Sequence, residues 1–278
     1  MQRLAIIPNK KKDCDLTVTK RLISILGGRA EAVLPMEFCG KVDNAVFEED
    51  IYSNVDAAII LGGDGTIIKA ALPCAEANIP MLGINLGRVG FMSEVEVCSL
   101  SEAIECLLDG NYTVETRMMM DVEIVSKTGE KSLFHALNDA VVEKADGVNL
   151  IGIELYSANE KIIQYVADGI IISTPTGSTG YNLSAGGPVV NPLMSLFVAT
   201  AVCPHMLTAR PAVLPADKPI VITSGCGISH KAKATVDGDV VSVVESGDKV
   251  IITKSKYQAK LIKTLRRTFY ETMIEKLL

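Results

Sequence analysis

Residues 55–70 read VDAAIILGGDGTIIKA, and the fold follows from this stretch. The apolar run from Ala57 to Leu61 stops at Gly62 and Gly63; Asp64 comes next, then Gly65 and Thr66, and a helical pattern resumes. A short apolar run closed by glycines is a buried strand, and the turn after it opens a helix. Such a turn presents unpaired backbone N–H groups at a helix N-terminus, where phosphate binds. A carboxylate at the centre of a phosphate cradle repels its ligand. Asp64 therefore suggests something other than anion binding. It could take the proton of a hydroxyl nucleophile, or help to hold a metal ion that accompanies the phosphate. Asp is also a common turn residue and helix N-cap, and the pentapeptide alone leaves the two readings even.

Upstream, RLAIIP at residues 3–8 is a short strand, residues 15–26 carry helical spacing that stops at Gly27 and Gly28, and AEAVL at 30–34 is a second strand. Residues 36–53 are acidic and weakly patterned, and no element is assigned there. Downstream, the central helix runs to about Asn78, a strand spans 79–84, and residues 99–109 form a further helix. Strands alternating with helices predict a parallel α/β sheet, with the glycine turn at the carboxyl end of a strand, where such sheets bind ligands.

The pattern changes near residue 112. Runs at 120–125, 148–157, 162–166, 169–174, 219–224, 230–239, 240–244 and 249–253 are short, β-branched and separated by turn residues. They predict a β-rich, sandwich-type domain. Residues 259–278 return to helical spacing at Leu261, Ile262, Leu265, Phe269, Met273, Ile274 and Leu277. The expected division is an α/β domain over 1–111 plus about 257–278, and a β-rich domain over 112–256.

Composition sets limits. The 278 residues have room for one large domain or two medium ones with full cores, and 48% hydrophobic with 22% charged residues is the balance of a globular protein. A net charge of −6 gives no global electrostatic case for nucleic acid. The longest central apolar stretch, residues 193–203, is too short to span a bilayer, and the N-terminus reads as a first strand without a cleavage-site pattern. Seven scattered cysteines without a CxxC pair read as reduced thiols, mostly buried, in a reducing compartment. His135, His205 and His230 stand apart from ligand spacing, so a structural zinc site is not expected. Lys10, Lys11 and Lys12 form a charge run that reads first as a solvated loop, and second as a phosphate-facing cluster beside the glycine turn.

Two further constellations carry chemistry. Residues 173–188 read STPTGSTGYNLSAGGP, and twelve of the sixteen are Ser, Thr, Gly or Pro. A loop with so few bulky side chains is floppy unless something orders it. Its hydroxyls and amides suit a nucleotide, and Tyr181 offers a flat surface. Asp168 and Gly169 stand just before it. In ALNDAVVE (136–143), Asn138 and Asp139 sit amid apolar residues. Such a pair is most often a turn; as a site, Asn reads an adenine edge and Asp accepts bonds from ribose hydroxyls.

These motifs, in this order, resemble the NAD kinase family, which phosphorylates NAD on its adenosine ribose to give NADP. The resemblance rests on Gly62, Gly63, Asp64, Gly65 and Thr66, on Asn138 and Asp139, and on Asp168 and Gly169 followed by residues 173–188. Flanking matches are Gly83, Ile84 and Asn85 with Gly90 and Phe91; Arg117, Met118 and Met119; Cys203, Pro204 and His205 followed by Arg210 and Pro211; and Asp237 with Gly238. The resemblance covers essentially the whole chain.

It implies an α/β domain, a β-rich domain, a C-terminal helix returning to the first, and NAD in the cleft between domains. It implies Asp64 as the base that deprotonates the 2′-hydroxyl attacking the γ-phosphorus of ATP. Gly62, Gly63, Gly65 and Thr66 would hold phosphates, and Asn138 and Asp139 the adenine and ribose hydroxyls. Thr179, Gly180, Tyr181 and Ser184 would line the adenine pocket, with Asp168 and Asp237 toward the nicotinamide. It further implies Mg²⁺ with the triphosphate, a cytoplasmic homodimer or homotetramer, and neither nucleic acid nor membrane as partner.

Three positions depart from the family pattern. Val166 replaces an Arg common in bacterial members, which leaves NAD versus NADH open. Gly180 stands in place of Ala, and Asp139 in place of the commoner Glu. Without GxxxxGK[ST] this is not a P-loop kinase. The rivals are a lipid kinase, a sugar-phosphate kinase and a non-catalytic dinucleotide sensor.

Overall fold

The computed structural model describes residues 1–87, 90–93, 95–145, 150–224, 231–264 and 267–277. Arg88 and Val89, the start of the predicted strand at 148–149, Cys226, His230, and Leu265, Arg266 and Leu278 of the predicted terminal helix lie outside the described residues. The chain divides into two compact units: 1–116 with 259–278, and 117–258.

The first unit opens with β1 (Gln2–Pro8), α1 (Thr17–Leu26), β2 (Ala30–Pro35), β3 (Val46–Glu48), β4 (Ala57–Gly62), α2 (Asp64–Glu76), β5 (Met81–Asn85), β6 (Val95–Glu96) and α3 (Leu100–Leu108). All pairings in the order β3-β2-β1-β4-β5 are parallel, as the strand–helix alternation predicts. Every residue of β4 is buried, and its neighbours β1 and β5 cover both edges. This is why its sequence is a continuous apolar run rather than an alternation. Leu4, Ile6, Leu22, Ile59, Leu61, Leu82 and Ile104 join one core. The unassigned stretch 36–53 contains β3, held to the sheet by Arg3, which bonds Glu31 of β2 at 2.5 Å and Glu48 of β3 at 2.7 Å.

The chain enters the second unit within β7 (Thr113–Val125). There follow β8 (Lys131–Ala136), β9 (Asp139–Lys144), β10 (Ile151–Ser157), β11 (Glu160–Ala167), β12 (Gly169–Ser173), α4 (Tyr181–Ser184), β13 (Leu196–Val202), β14 (Ala212–Pro215), β15 (Ile220–Ser224), β16 (Ala232–Val236) and β17 (Asp239–Val244). One antiparallel sheet has the order β14-β13-β12-β9-β16-β17. Strands β11, β10 and β15 pair antiparallel in another, and both contribute to a single core that includes Ile153, Leu155, Ile170, Ile172, Phe197 and Ile222. The predicted sandwich is thereby borne out. The apolar stretch 193–203 holds β13, a buried central strand.

The terminal region differs from its sequence reading. β18 (Lys249–Lys263) continues through Ala259, Leu261 and Ile262, and only Phe269–Leu277 is helical (α5). Leu261 pairs in parallel with Met81 of β5. Adjacent Leu261 and Ile262 imitate a helical stripe. The competing alternation, Tyr257, Ala259 and Leu261 against Lys256, Gln258 and Lys260, is settled by a sheet edge that a local window cannot reveal. The cysteines also correct an expectation. Of the six described, Cys74 is buried, whereas Cys14, Cys39, Cys98 and Cys203 are exposed; all are free thiols.

Candidate functional site

In the first unit, β4 ends at Gly62 and α2 begins at Asp64, with Gly63 in the extended region at the N-cap position. Thr66 donates its N–H to the Gly63 carbonyl at 2.8 Å, closing the first turn. A Cβ on Gly62 would overlap the Thr66 side chain, so this turn requires glycine there. Asp64 does not cap its own helix. Its Oδ1 accepts bonds from the N–H groups of Met92 (3.1 Å) and Ser93 (3.0 Å) and from the Ser93 hydroxyl (3.0 Å). Among the described residues Oδ2 accepts one bond, from the Phe91 N–H at 2.8 Å. A carboxylate so held keeps its orientation, and Oδ2 is the oxygen with acceptor capacity to spare.

A third segment closes this site. Asn9, directly after β1, donates from Nδ2 to the Thr66 hydroxyl at 2.8 Å and accepts at Oδ1 from the N–H groups of Lys11 and Lys12. Asp13 is buried and caps α1 by accepting from the N–H groups of Val18 and Thr19 and from the Thr19 hydroxyl. The loop between them, carrying the three lysines, is tied at both ends. Together with Gly63, Asp64, Thr66 and Lys69 it lines a cavity of about 750 Å³. α5 packs beside the Asp64 cage: the Phe269 ring lies 6.1 Å from that of Phe91, and the Lys276 ammonium lies 4.9 Å over the latter.

The second unit gathers the other motifs. Asn138 precedes β9, which Asp139 opens. The two-residue turn between β16 and β17 is Asp237 and Gly238, both with positive φ. The Asp237 carboxylate accepts the N–H groups of Leu137 (2.7 Å), Asn138 (2.8 Å) and Asp139 (3.1 Å). It thus fixes the main chain that presents Asn138 and Asp139. With Tyr181, Thr235 and Glu143 these residues line a cavity of about 330 Å³.

The pocket is strongly acidic. Burial, followed by the charge of Asp237, pushes the Asp139 carboxyl up to about 7. Burial likewise raises Asp237, against the lowering effect of its three backbone donors. Tyr181 is raised by burial first, then by Glu143, Cys203, Asp139 and Asp168. Asn138 Oδ1 and Thr235 Oγ1 are buried without a hydrogen-bond partner among the described residues.

The loop 173–188 is ordered from within. Thr174 donates to the Leu137 carbonyl at 2.6 Å; Asn182, fully buried, accepts from Thr200 and donates to the carbonyls of Ser178 and Pro188. A Cβ on Gly177 would overlap the Asn138 carbonyl, and this close approach packs the third motif onto the second. Thr179 ends a 3₁₀ turn (Thr176–Thr179), Gly180 precedes α4, and Tyr181 and Ser184 begin and end that helix. Asp168 is ion-paired with Lys144 at 2.7 Å, and its charge reaches Tyr181.

Sequence reasoning assigns no role to Asn9 or Ser93, and none individually to Thr174 and Asn182 within the segment 173–188 that it marks. Asn9 leaves one signal, a polar residue at the carboxyl end of a parallel strand. The others act through contacts made by folding.

Comparison with known proteins agrees with both halves. Residues 4–112 match the ATP-NAD kinase N-terminal domain, and residues 137–264 match the ATP-NAD kinase C-terminal domain. The chain belongs to the NAD kinase family. An NAD kinase of Natranaerobius thermophilus is 37% identical, covering 100% of this chain and 98% of that one. An NAD kinase of Heliobacterium modesticaldum is also 37% identical, over 100% and 99%. Among solved structures, yeast NADH kinase complexed with NADH superposes with a TM-score of 0.87 at 22% identity, covering 100% of this chain and 87% of that one. An Archaeoglobus fulgidus NAD kinase in complex with ATP superposes at 0.75 with 23% identity, over 99% and 98%. At those identities the two structures establish the NAD kinase fold in this chain.

Proposed function

We infer that this protein transfers the γ-phosphoryl group of ATP to the 2′-hydroxyl of the adenosine ribose of NAD, giving NADP and ADP. The O2′–P bond forms, the bond from the γ-phosphorus to the bridging oxygen breaks, and the hydroxyl proton passes to Asp64. The observation that carries this reading is the state of Asp64. It stands in the glycine turn and, among the described residues, has three donors fixing Oδ1 and a single donor on Oδ2, so Oδ2 is aimed and able to take a proton. Gly62, Gly63, Gly65 and Thr66 serve the phosphates by backbone N–H and hydroxyl at the start of α2, the Thr66 N–H itself being engaged by the Gly63 carbonyl. Asn138 and Asp139 serve the adenine and ribose; the buried, unpaired Asn138 Oδ1 suits an exocyclic amine. Thr179, Gly180, Tyr181 and Ser184 serve the adenine pocket, and Asp168 and Asp237 serve the nicotinamide end.

Mg²⁺ enters with the triphosphate. No group of three His, Cys, Asp or Glu side chains among the described residues is arranged to hold a metal, and a cation held chiefly by the substrate phosphates would need none. Self-association as a homodimer or homotetramer and a cytoplasmic setting belong to the same reading. No helix among the described residues is long and apolar enough to cross a membrane. The apolar Val166 leaves both NAD and NADH as acceptors to be compared.

The test is NADP formation from NAD, ATP and Mg²⁺ by wild type and Asp64→Asn, with NADH run in parallel. Turnover by wild type and its loss in the variant, with NAD binding largely kept, is the expected result. Binding of NAD without any NADP would move the sensor reading to the front.

A further inference from the structure

The charge run at Lys10, Lys11 and Lys12 is built into the site. Lys10 pairs with Glu37, but the Lys12 ammonium has no ion-pair partner among the described residues. Its ammonium lies over two glycines: a Cβ added at Gly63 would come 3.0 Å from Nζ, and one added at Gly87 would come 3.3 Å from it. The same ammonium therefore sits at the entrance of the turn that carries Asp64, close to two positions without side chains. Its backbone is not free to wander. The Lys12 N–H bonds both the carbonyl and the side chain of Asn9, which in turn holds Thr66. Asp13 anchors the next residue to α1. Lys11 and Lys69 line the same cavity, where Asp64 is the carboxylate. That balance favours a polyanion.

We propose that Lys12 is a catalytic residue of the kinase reaction, binding the terminal phosphoryl group of the donor in the glycine turn and neutralising the charge on its oxygens during transfer. The inference rests on the function proposed above. The anchored main chain of Lys12 keeps its ammonium within reach of a phosphate at the helix N-terminus, where a positive charge adds to the backbone N–H groups and offsets the charge that develops on the transferred group. Lys12 complements Asp64 chemically: one group takes the proton from the nucleophile, while the other holds the electrophile.

The experiment uses the full chain and four proteins: wild type, Lys12→Met, Lys12→Arg and, as a charge-matched control, Lys20→Met on the exposed face of α1. Binding of inorganic tripolyphosphate is measured by calorimetry and NADP formation by coupled assay, with thermal unfolding as a fold check. Lys12→Met is expected to lose roughly 100-fold in turnover and about tenfold in tripolyphosphate affinity, without a change in unfolding temperature. Lys12→Arg should recover most of the affinity, and Lys20→Met should match wild type. Lys12→Met that binds tripolyphosphate and turns over like wild type would overturn the proposal. Wild type that makes no NADP, while Lys12→Met still loses tripolyphosphate, would remove the kinase reading and the catalytic role together, leaving a phosphate-binding lysine.

Discussion

Gly90 lies against the carboxylate of Asp64, so closely that a Cβ at position 90 would overlap Oδ1. The two are far apart in the chain, yet the position of one excludes any side chain at the other. The cage formed by the N–H groups of Phe91, Met92 and Ser93 depends on that approach. Gly90→Ala should push the carboxylate off its seat and lower NADP formation by about 100-fold, the loss that misplacement by an ångström produces. The measurement is turnover at saturating NAD and ATP beside far-UV circular dichroism. Full activity in a folded variant would mean that the cage is incidental.

Asp64→Asn keeps the size of the side chain but removes the proton acceptor. Turnover should fall roughly 10²- to 10⁴-fold with NAD affinity changed little, because the lost interaction belongs to the transition state. Ser93→Ala deletes one donor of four and should cost far less, about tenfold. Parallel losses of binding and turnover in Asp64→Asn would make this residue a binding group instead.

Asp139 gives the protein a pH dependence with a definite sign. Its carboxyl is raised from the ordinary 3.8 to about 7 by burial and by Asp237. Between these values the folded protein binds more protons than the unfolded chain, so stability falls as pH rises across that window and is flat above it. Asp237, also raised, acts in the same direction. Denaturant unfolding at about pH 5 and about pH 8 should show wild type losing stability at the higher pH. Asp139→Asn should show a visibly smaller loss.

Asn9→Ala breaks the bond to Thr66 and both bonds to the lysine loop. A stability loss of about 1–2 kcal/mol is expected, typical of a partly buried polar anchor. Equilibrium urea unfolding measures it, and phosphate affinity should fall along with it, since the loop loses its register.

Gly177→Ala inserts a methyl group into the Asn138 carbonyl, which is main chain and cannot swing aside. About 1–3 kcal/mol of destabilisation follows from overpacking. NAD binding should weaken with it, because the third motif would be displaced from the second. Calorimetric titration with NAD reads this directly.

Much of the fold was legible because its signals are local. Residues 57–61 could only be a buried strand, glycines and a single acid marked the turn, and a change from helical to strand spacing near residue 112 announced the second unit. Legibility failed where two patterns competed or where the pattern was short. Leu261 and Ile262 satisfy both periods, and only the edge of β5 makes them strand. The short strand β3 exists because β2 lies beside it. Average burial misleads for the thiols, because Cys14 in a turn and Cys98 in a 3₁₀ turn are exposed for reasons that composition does not carry.

The site divides in the same way. By itself the sequence determined which chemical groups are present, their order and the elements that carry them. A glycine turn, a carboxylate, an Asn-Asp pair and a hydroxyl-rich loop are each written in consecutive residues. Tertiary structure alone decided how they are held. Asp64 faces Gly90 and Ser93, Asp237 grips the main chain at Asn138, Asn9 reaches Thr66, and Lys12 settles over Gly63 and Gly87. These relations join residues distant in the chain through hydrogen bonds and close contacts whose strength depends on distance in space. Such distances are set only when the strands of a sheet bring their ends together.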